Sequence, residues 1–348
     1  MALPEKTGAP ARPRHRLLLL LLLALGSGAC RRPSAGAPPP PTAPATESAA
    51  PQVASRAPQG AKPLPPGPAE IWKEFSGEKA FEEVKKQVAV GPRPAGSPEL
   101  EKARVLIEEG LRRAGWESER QVFTDETPRG RIQFSNIIGR FPGGGKSPAP
   151  TDTQRAIVCS HYDTKRFTMI PFVGASDGAS STGALLELAR VLALDPALAV
   201  QVELVFFDGE EAVMQFTAQD GLYGSRHYAQ QLQSSGRARQ FQCAILWDMI
   251  GDADFGITLS PDSPPKLASD VLASAEALDL RSSFRYHNVN IYDDHVPLQS
   301  IARIPAIDLI DFDYPAWHTA DDKLDRLDPD SLRKTGAVTL HFLRKKFR

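Results

Sequence analysis

Two adjacent glutamates, Glu210 and Glu211, follow an apolar run from Val202 to Phe207. A second apolar run, Ala156 to Ser160, ends on His161-Tyr162-Asp163, and a third, Ala244 to Trp247, ends on Asp248. A fourth, Ile304 to Ile310, leads into a loop that carries Trp317-His318, while Asp177 stands just ahead of a helical pattern. Singly, each residue has an ordinary explanation. A histidine after a strand is more often a hydrogen-bonding residue than a ligand. A Glu-Glu pair suits a solvated helix start, Asp177 suits an N-cap, and Asp248 suits a turn. Taken together, His161, Asp177, Glu211, Asp248 and His318 supply nitrogen and oxygen donors, each expected from a different strand end. A catalytic zinc takes three such ligands and keeps one position open, and neighbouring acids then manage protons.

The elements that must hold these groups alternate between strand and helix. Ser97-Pro98 predicts a helix start, with Leu100, Ala103, Ile107 and Leu111 as its apolar face and Gly115 as its stop. A β-rich segment is expected around Phe134 to Phe141, and a helix from about Ser181 to Leu194 with Leu185, Leu188 and Leu192 facing a sheet. This alternation predicts a single α/β domain: a central mixed, mostly parallel sheet covered by helices on both faces. In such sheets the site lies beyond the carboxyl ends of the strands.

Composition narrows the function. The chain has 348 residues, 41% of them hydrophobic, and a net charge of -1, so no charged surface points to nucleic acid. Three cysteines without a Cys-x-x-Cys pair exclude a disulfide framework and a structural thiolate zinc site. Any metal must be held by histidines and carboxylates.

Residues 1–30 read as an export signal: Arg12, Arg14 and Arg16 precede the apolar run Leu17 to Leu25, and Ser27, Gly28 and Ala29 lead to Cys30. Cys30 sits where a bacterial lipoprotein is cleaved and acylated, yet Ser27 stands where the lipobox has leucine. Lipidation and plain secretion both stay open, and the only membrane contact expected is through that anchor. Residues 31–69, rich in Pro, Ala and Ser, are expected to form a disordered tether. The catalytic domain is expected over residues 70–348, as an exported monomer.

The chain resembles the zinc aminopeptidase superfamily in the order His161-Tyr-Asp163, Asp177, Glu210-Glu211, Asp248, His318. Within it, the chain is similar to the animal-type glutaminyl-peptide cyclotransferases. That resemblance is carried by Phe206-Phe-Asp-Gly-Glu-Glu-Ala212, Gln219-Asp-Gly-Leu-Tyr-Gly-Ser-Arg-His227, Asp293-Asp-His-Val-Pro297 and Trp317-His-Thr-Ala-Asp-Asp322. The gap from Glu211 to Gly224-Ser225 is longer than in ordinary aminopeptidases.

The resemblance implies a phosphorylase/hydrolase-like fold and one zinc on Asp177, Glu211 and His318. It implies Glu210 as general acid/base, Asp248 and Asp293 as a carboxylate network sharing a proton, and Trp317 as a wall of the substrate pocket. The substrates implied are the N-termini of peptides or proteins. Phe216 stands where the animal enzymes carry a pocket tryptophan, and Thr182 replaces the disulfide partner expected near Asp177. Ser176-Asp-Gly-Ala-Ser180 is closer to peptidase wording, and His161 with Asp248 offers a second metal position. Three functions therefore stand side by side: cyclisation of an N-terminal glutamine on one zinc, hydrolysis of N-terminal residues on two, or a metal-free binding module.

Overall fold

The computed structural model describes residues 67–142 and 155–348. The expected export signal, Cys30 and all but the last three residues of the expected tether lie outside the described residues. No helix among the described residues is long and apolar enough to cross a membrane.

The chain forms α1 (Gly77–Ala89), α2 (Pro98–Arg113), β1 (Glu117–Thr127), β2 (Gly130–Arg140), β3 (Arg155–His161), α3 (Ser181–Leu192), the short α4 (Pro196–Ala199) and β4 (Val202–Phe207). There follow α5 (Tyr223–Ser234), β5 (Phe241–Asp248), β6 (Ile257–Leu259), α6 (Pro265–Ala277), β7 (Phe284–Tyr286), α7 (His295–Ser300), β8 (Ala306–Ile310) and α8 (Pro329–Phe347). One eight-stranded sheet has the order β1-β2-β4-β3-β5-β8-β6-β7. Its centre, β4-β3-β5-β8, is parallel, and the outer pairs β1-β2, β2-β4 and β8-β6 are antiparallel.

Strand alternation explains why helices cover both faces. In β3, Ala156 and Val158 face one core while Ile157 and Cys159 face the other; in β5, Ile245 and Trp247 oppose Ala244 and Leu246. The first core is closed by α1, α2, α3, α6 and α8, and the second by α5 and α7. Ser97 caps α2 as expected, accepting the Leu100 N–H at 3.1 Å. Helix α3 is buried on nearly every side rather than on one face, because α1, α2 and α8 pack around it. Gly183 permits this: a Cβ there would stand 2.6 Å from Val84 Cγ2 and 2.7 Å from the Val84 nitrogen.

Candidate active site

The four parallel strands are neighbours, so their carboxyl ends deliver side chains to one place. His161 closes β3, Glu210 and Glu211 follow β4, Asp248 closes β5, and His318 lies in the loop after β8. One expectation needs correction. Asp177 does not come from a strand end of its own; it follows β3, as His161 does, in a kinked turn that runs into α3. The turn depends on Gly178, whose φ of +89° brings its backbone so close that a Cβ would meet the Asp163 carbonyl oxygen at 2.7 Å. Nor do Glu210 and Glu211 begin a helix: both lie in a loop.

Two donor groups share Asp177. His318 Nε2 lies 3.0 Å from Glu211 Oε1 and 3.3 Å from Asp177 Oδ2. His161 Nε2 lies 3.1 Å from Asp248 Oδ1 and 3.3 Å from Asp177 Oδ1. Asp177 Oδ2 is buried without a hydrogen bond. His318 adopts φ +56° and Met249, next to Asp248, φ +47°. Such left-handed backbone costs a non-glycine residue about 1–3 kcal/mol and is typically found where function requires it.

The charges are compressed to match. Burial opposes protonation of His318, but Asp177 and Glu211 outweigh it and push its pKa up to about 10. His161 behaves likewise, held well above the usual histidine range by Asp248, Asp163 and Asp177 against burial. Glu210 is raised well above the ordinary carboxylate range by burial and by Glu211. Burial and the neighbouring Asp248 do the same to Asp293, and burial raises Asp248. Buried carboxylates so close together favour sharing protons or a cation over standing charged side by side. The donor chemistry fits a divalent metal: Asp177, Glu211 and His318 bring three N/O donor atoms together, and so do His161, Asp177 and Asp248.

A cavity of about 510 Å³ opens onto these groups, lined at its inner end by Asp177, Glu210, Glu211, Asp248, Asp293 and His318. Trp317 and Phe216 form part of its wall, and Trp317 is 43% exposed, so it is no core residue. Trp317 stacks on His318 with ring centroids 4.5 Å apart. Every residue expected at the site except His161 lines this cavity; His161 lies buried behind Asp177 and Asp248.

The sequence profile of Peptidase family M28 matches residues 136–343. The chain belongs to peptidase family M28. Within that family its likeness is to glutaminyl cyclases: it is 33% identical over 281 residues to the glutaminyl-peptide cyclotransferase of Bos taurus, covering 69% of this chain and 75% of that one. The crystal structure of a glutaminyl cyclase from an Acidobacteriales bacterium superposes with a TM-score of 0.68 at 31% identity, covering 84% of this chain and 98% of the other. A Zn-dependent exopeptidase from Parabacteroides distasonis superposes equally, with a TM-score of 0.68 at 25% identity over 78% of this chain and 98% of the other.

Three carboxylates of this M28 chain hold the site without entering it, and the sequence reading gave them no role. Asp163 accepts the backbone N–H groups of Glu210 and Glu211, and Asp322 accepts those of Ser176 and Asp177 at 2.7 and 3.1 Å. Asp220 accepts three successive N–H groups, of Val213, Met214 and Gln215. Their signal was faint, since each binds backbone rather than a recognisable side-chain partner. Arg93, fully buried, adds donors to the carbonyls of Tyr162, Val173 and Gly174 around the same turn. Cys159 and Cys243 are both free and buried.

Proposed function

We propose that the protein is a zinc-dependent glutaminyl-peptide cyclotransferase, which converts an N-terminal glutamine of peptides or proteins to pyroglutamate and releases ammonia. One observation carries the reading: Glu210 lines the same cavity as the Asp177–Glu211–His318 group but belongs to neither donor group. A carboxyl with a raised pKa is thereby left free beside three ligands.

Asp177, Glu211 and His318 would hold the zinc, which when bound supplies a Lewis acid that polarises the side-chain amide carbonyl of the substrate. Glu210 takes a proton from the α-amine as its nitrogen bonds to the side-chain carbonyl carbon. The carbon–nitrogen bond to the amide then breaks, and Glu210 returns the proton to the departing ammonia. A group that must both accept and donate works best with its pKa lifted toward neutrality. Burial, Glu211 and then Asp293 favour the protonated form of Glu210, while Asp248 is hydrogen-bonded to His161 rather than to Asp293, and Trp317 covers the folded substrate.

A second reading is favoured by the divided carboxylate of Asp177, one oxygen toward each histidine. That arrangement suits two zinc ions and a hydrolytic aminopeptidase, with Glu210 activating water. Incubation with a Gln-initiated peptide separates the two: mass spectrometry should find the loss of one ammonia with the chain otherwise intact. Release of free glutamine would overturn the cyclase reading. The composition of residues 1–30 supports export of the enzyme, with Cys30 available for a lipid anchor.

A further inference from the structure

Phe167 and Phe172 do not line the catalytic cavity, yet both touch its histidine. Their ring centroids lie 5.6 and 5.7 Å from that of His318, with planes inclined to it at 76° and 88°. The two phenylalanines also meet each other at 83°, with centroids 5.4 Å apart. Trp317, by contrast, stacks on the same imidazole at 25°. Three aromatic rings thus surround one candidate ligand, one nearly parallel to it and two nearly perpendicular.

A histidine that binds a metal through one nitrogen is usually oriented by a hydrogen bond from the other to a carbonyl or carboxylate. In His318 it is Nε2 that faces Glu211 and Asp177. Among the described residues, no hydrogen-bond partner reaches its Nδ1. Packing restrains the ring instead. A turn about the Cβ–Cγ bond would break both perpendicular contacts, an arrangement that aromatic pairs prefer.

The segment that carries the two phenylalanines is tied down at both ends. It runs from Thr164 to Gly174 without helix or strand. At its start, Thr164 exchanges two hydrogen bonds with the Arg93 main chain, at 3.0 and 3.3 Å. Lys165 and Arg166 donate to the carbonyls of Ala212 and Ala95. At its end, the buried Arg93 guanidinium donates to the carbonyls of Val173 and Gly174, at 2.6 and 3.1 Å. Phe172 is buried and Phe167 half-buried, so both rings are held where His318 needs them.

We propose that Phe167 and Phe172 are positioning residues that act through His318, holding its ring so that Nε2 points at the Glu211 and Asp177 oxygens. Aromatic packing takes the place of the customary hydrogen bond. The inference rests on the zinc reading of this site, and the property the two residues control is metal affinity rather than substrate recognition.

The test measures the zinc dissociation constant by competition with a chromogenic chelator, alongside the melting temperature of the zinc-free protein. Phe167→Leu keeps an apolar side chain but removes the ring, and zinc should bind about 10–100-fold more weakly, the usual effect of losing an outer-sphere partner. The zinc-free melting temperature should stay where it was. Phe167→Tyr keeps the ring and should bind zinc as the wild type does, while Phe172→Leu should weaken binding as Phe167→Leu does. Unchanged affinity in Phe167→Leu, or the same loss in Phe167→Tyr, overturns the inference and leaves the zinc reading standing. A lowered zinc-free melting temperature in Phe167→Leu makes the role structural and overturns it too. A wild-type protein that binds no zinc overturns both.

Discussion

The Asp163 carboxylate accepts the backbone N–H of Glu210 at 3.2 Å. Its other oxygen takes the N–H of Glu211 at 3.3 Å, so two consecutive residues are pinned from behind. Their side chains then serve different neighbours. Glu211 reaches His318, while Glu210 lies under the charge of Asp293.

That division makes the two glutamates separable by substitution. Glu211→Gln should lose zinc along with activity, since an anionic ligand becomes a neutral amide. Glu210→Gln should keep zinc and lose about 10²–10⁴-fold in turnover, as the loss of a general acid/base typically costs. Equal zinc loss in both variants would contradict the assignment.

A heterocyclic chelator should abolish turnover, and added zinc should restore it. Elemental analysis is expected to give one zinc per chain, and His161→Ala should leave that stoichiometry unchanged. Two zinc ions per chain, with one lost in His161→Ala, would favour the dinuclear aminopeptidase.

Trp317→Ala offers a test of the pocket wall. A fully buried aromatic residue would cost about 3–5 kcal/mol on truncation, but Trp317 is exposed and rests on His318. The melting temperature and zinc content should therefore change little while kcat/KM falls sharply, because positioning is what an intramolecular reaction depends on. A large drop in melting temperature with normal specific activity would remove Trp317 from the site.

Asp322→Ala should weaken the site from outside it. The substitution strands the N–H groups of Ser176 and Asp177 and removes the partner of the Tyr314 hydroxyl. Loss of an outer partner typically lowers metal affinity about 10–100-fold. Competition against a zinc-binding dye would measure it, and unchanged affinity would show that the Asp177 turn holds without Asp322.

How much of this was legible in the sequence follows from what each element buries. Strands β3, β4, β5 and β8 are buried on both faces and read as mostly apolar runs, with Glu203 inside β4 and Asp308 inside β8. Helix α2 announced itself through its Ser-Pro start. Strand β1 is largely exposed and polar, with Phe123 its one buried residue, so nothing distinguished it from loop. Helix α8 packs Thr335, Thr339 and His341 among its buried residues, which blurs its apolar face. The acids at the cavity were visible as types placed after strands. Asp163, Asp220 and Asp322 stand within the sequence motifs, but their roles were not legible, because their partners are main-chain groups that only the fold brings near.

The alternation along β3 also limits how this gene can change length. A single codon inserted between Ala156 and Ser160 would exchange the side chains meant for the two cores. The same half-turn would carry His161 away from Asp177 and Asp248. Folding and the candidate metal site are thus exposed to the same frame-preserving insertion.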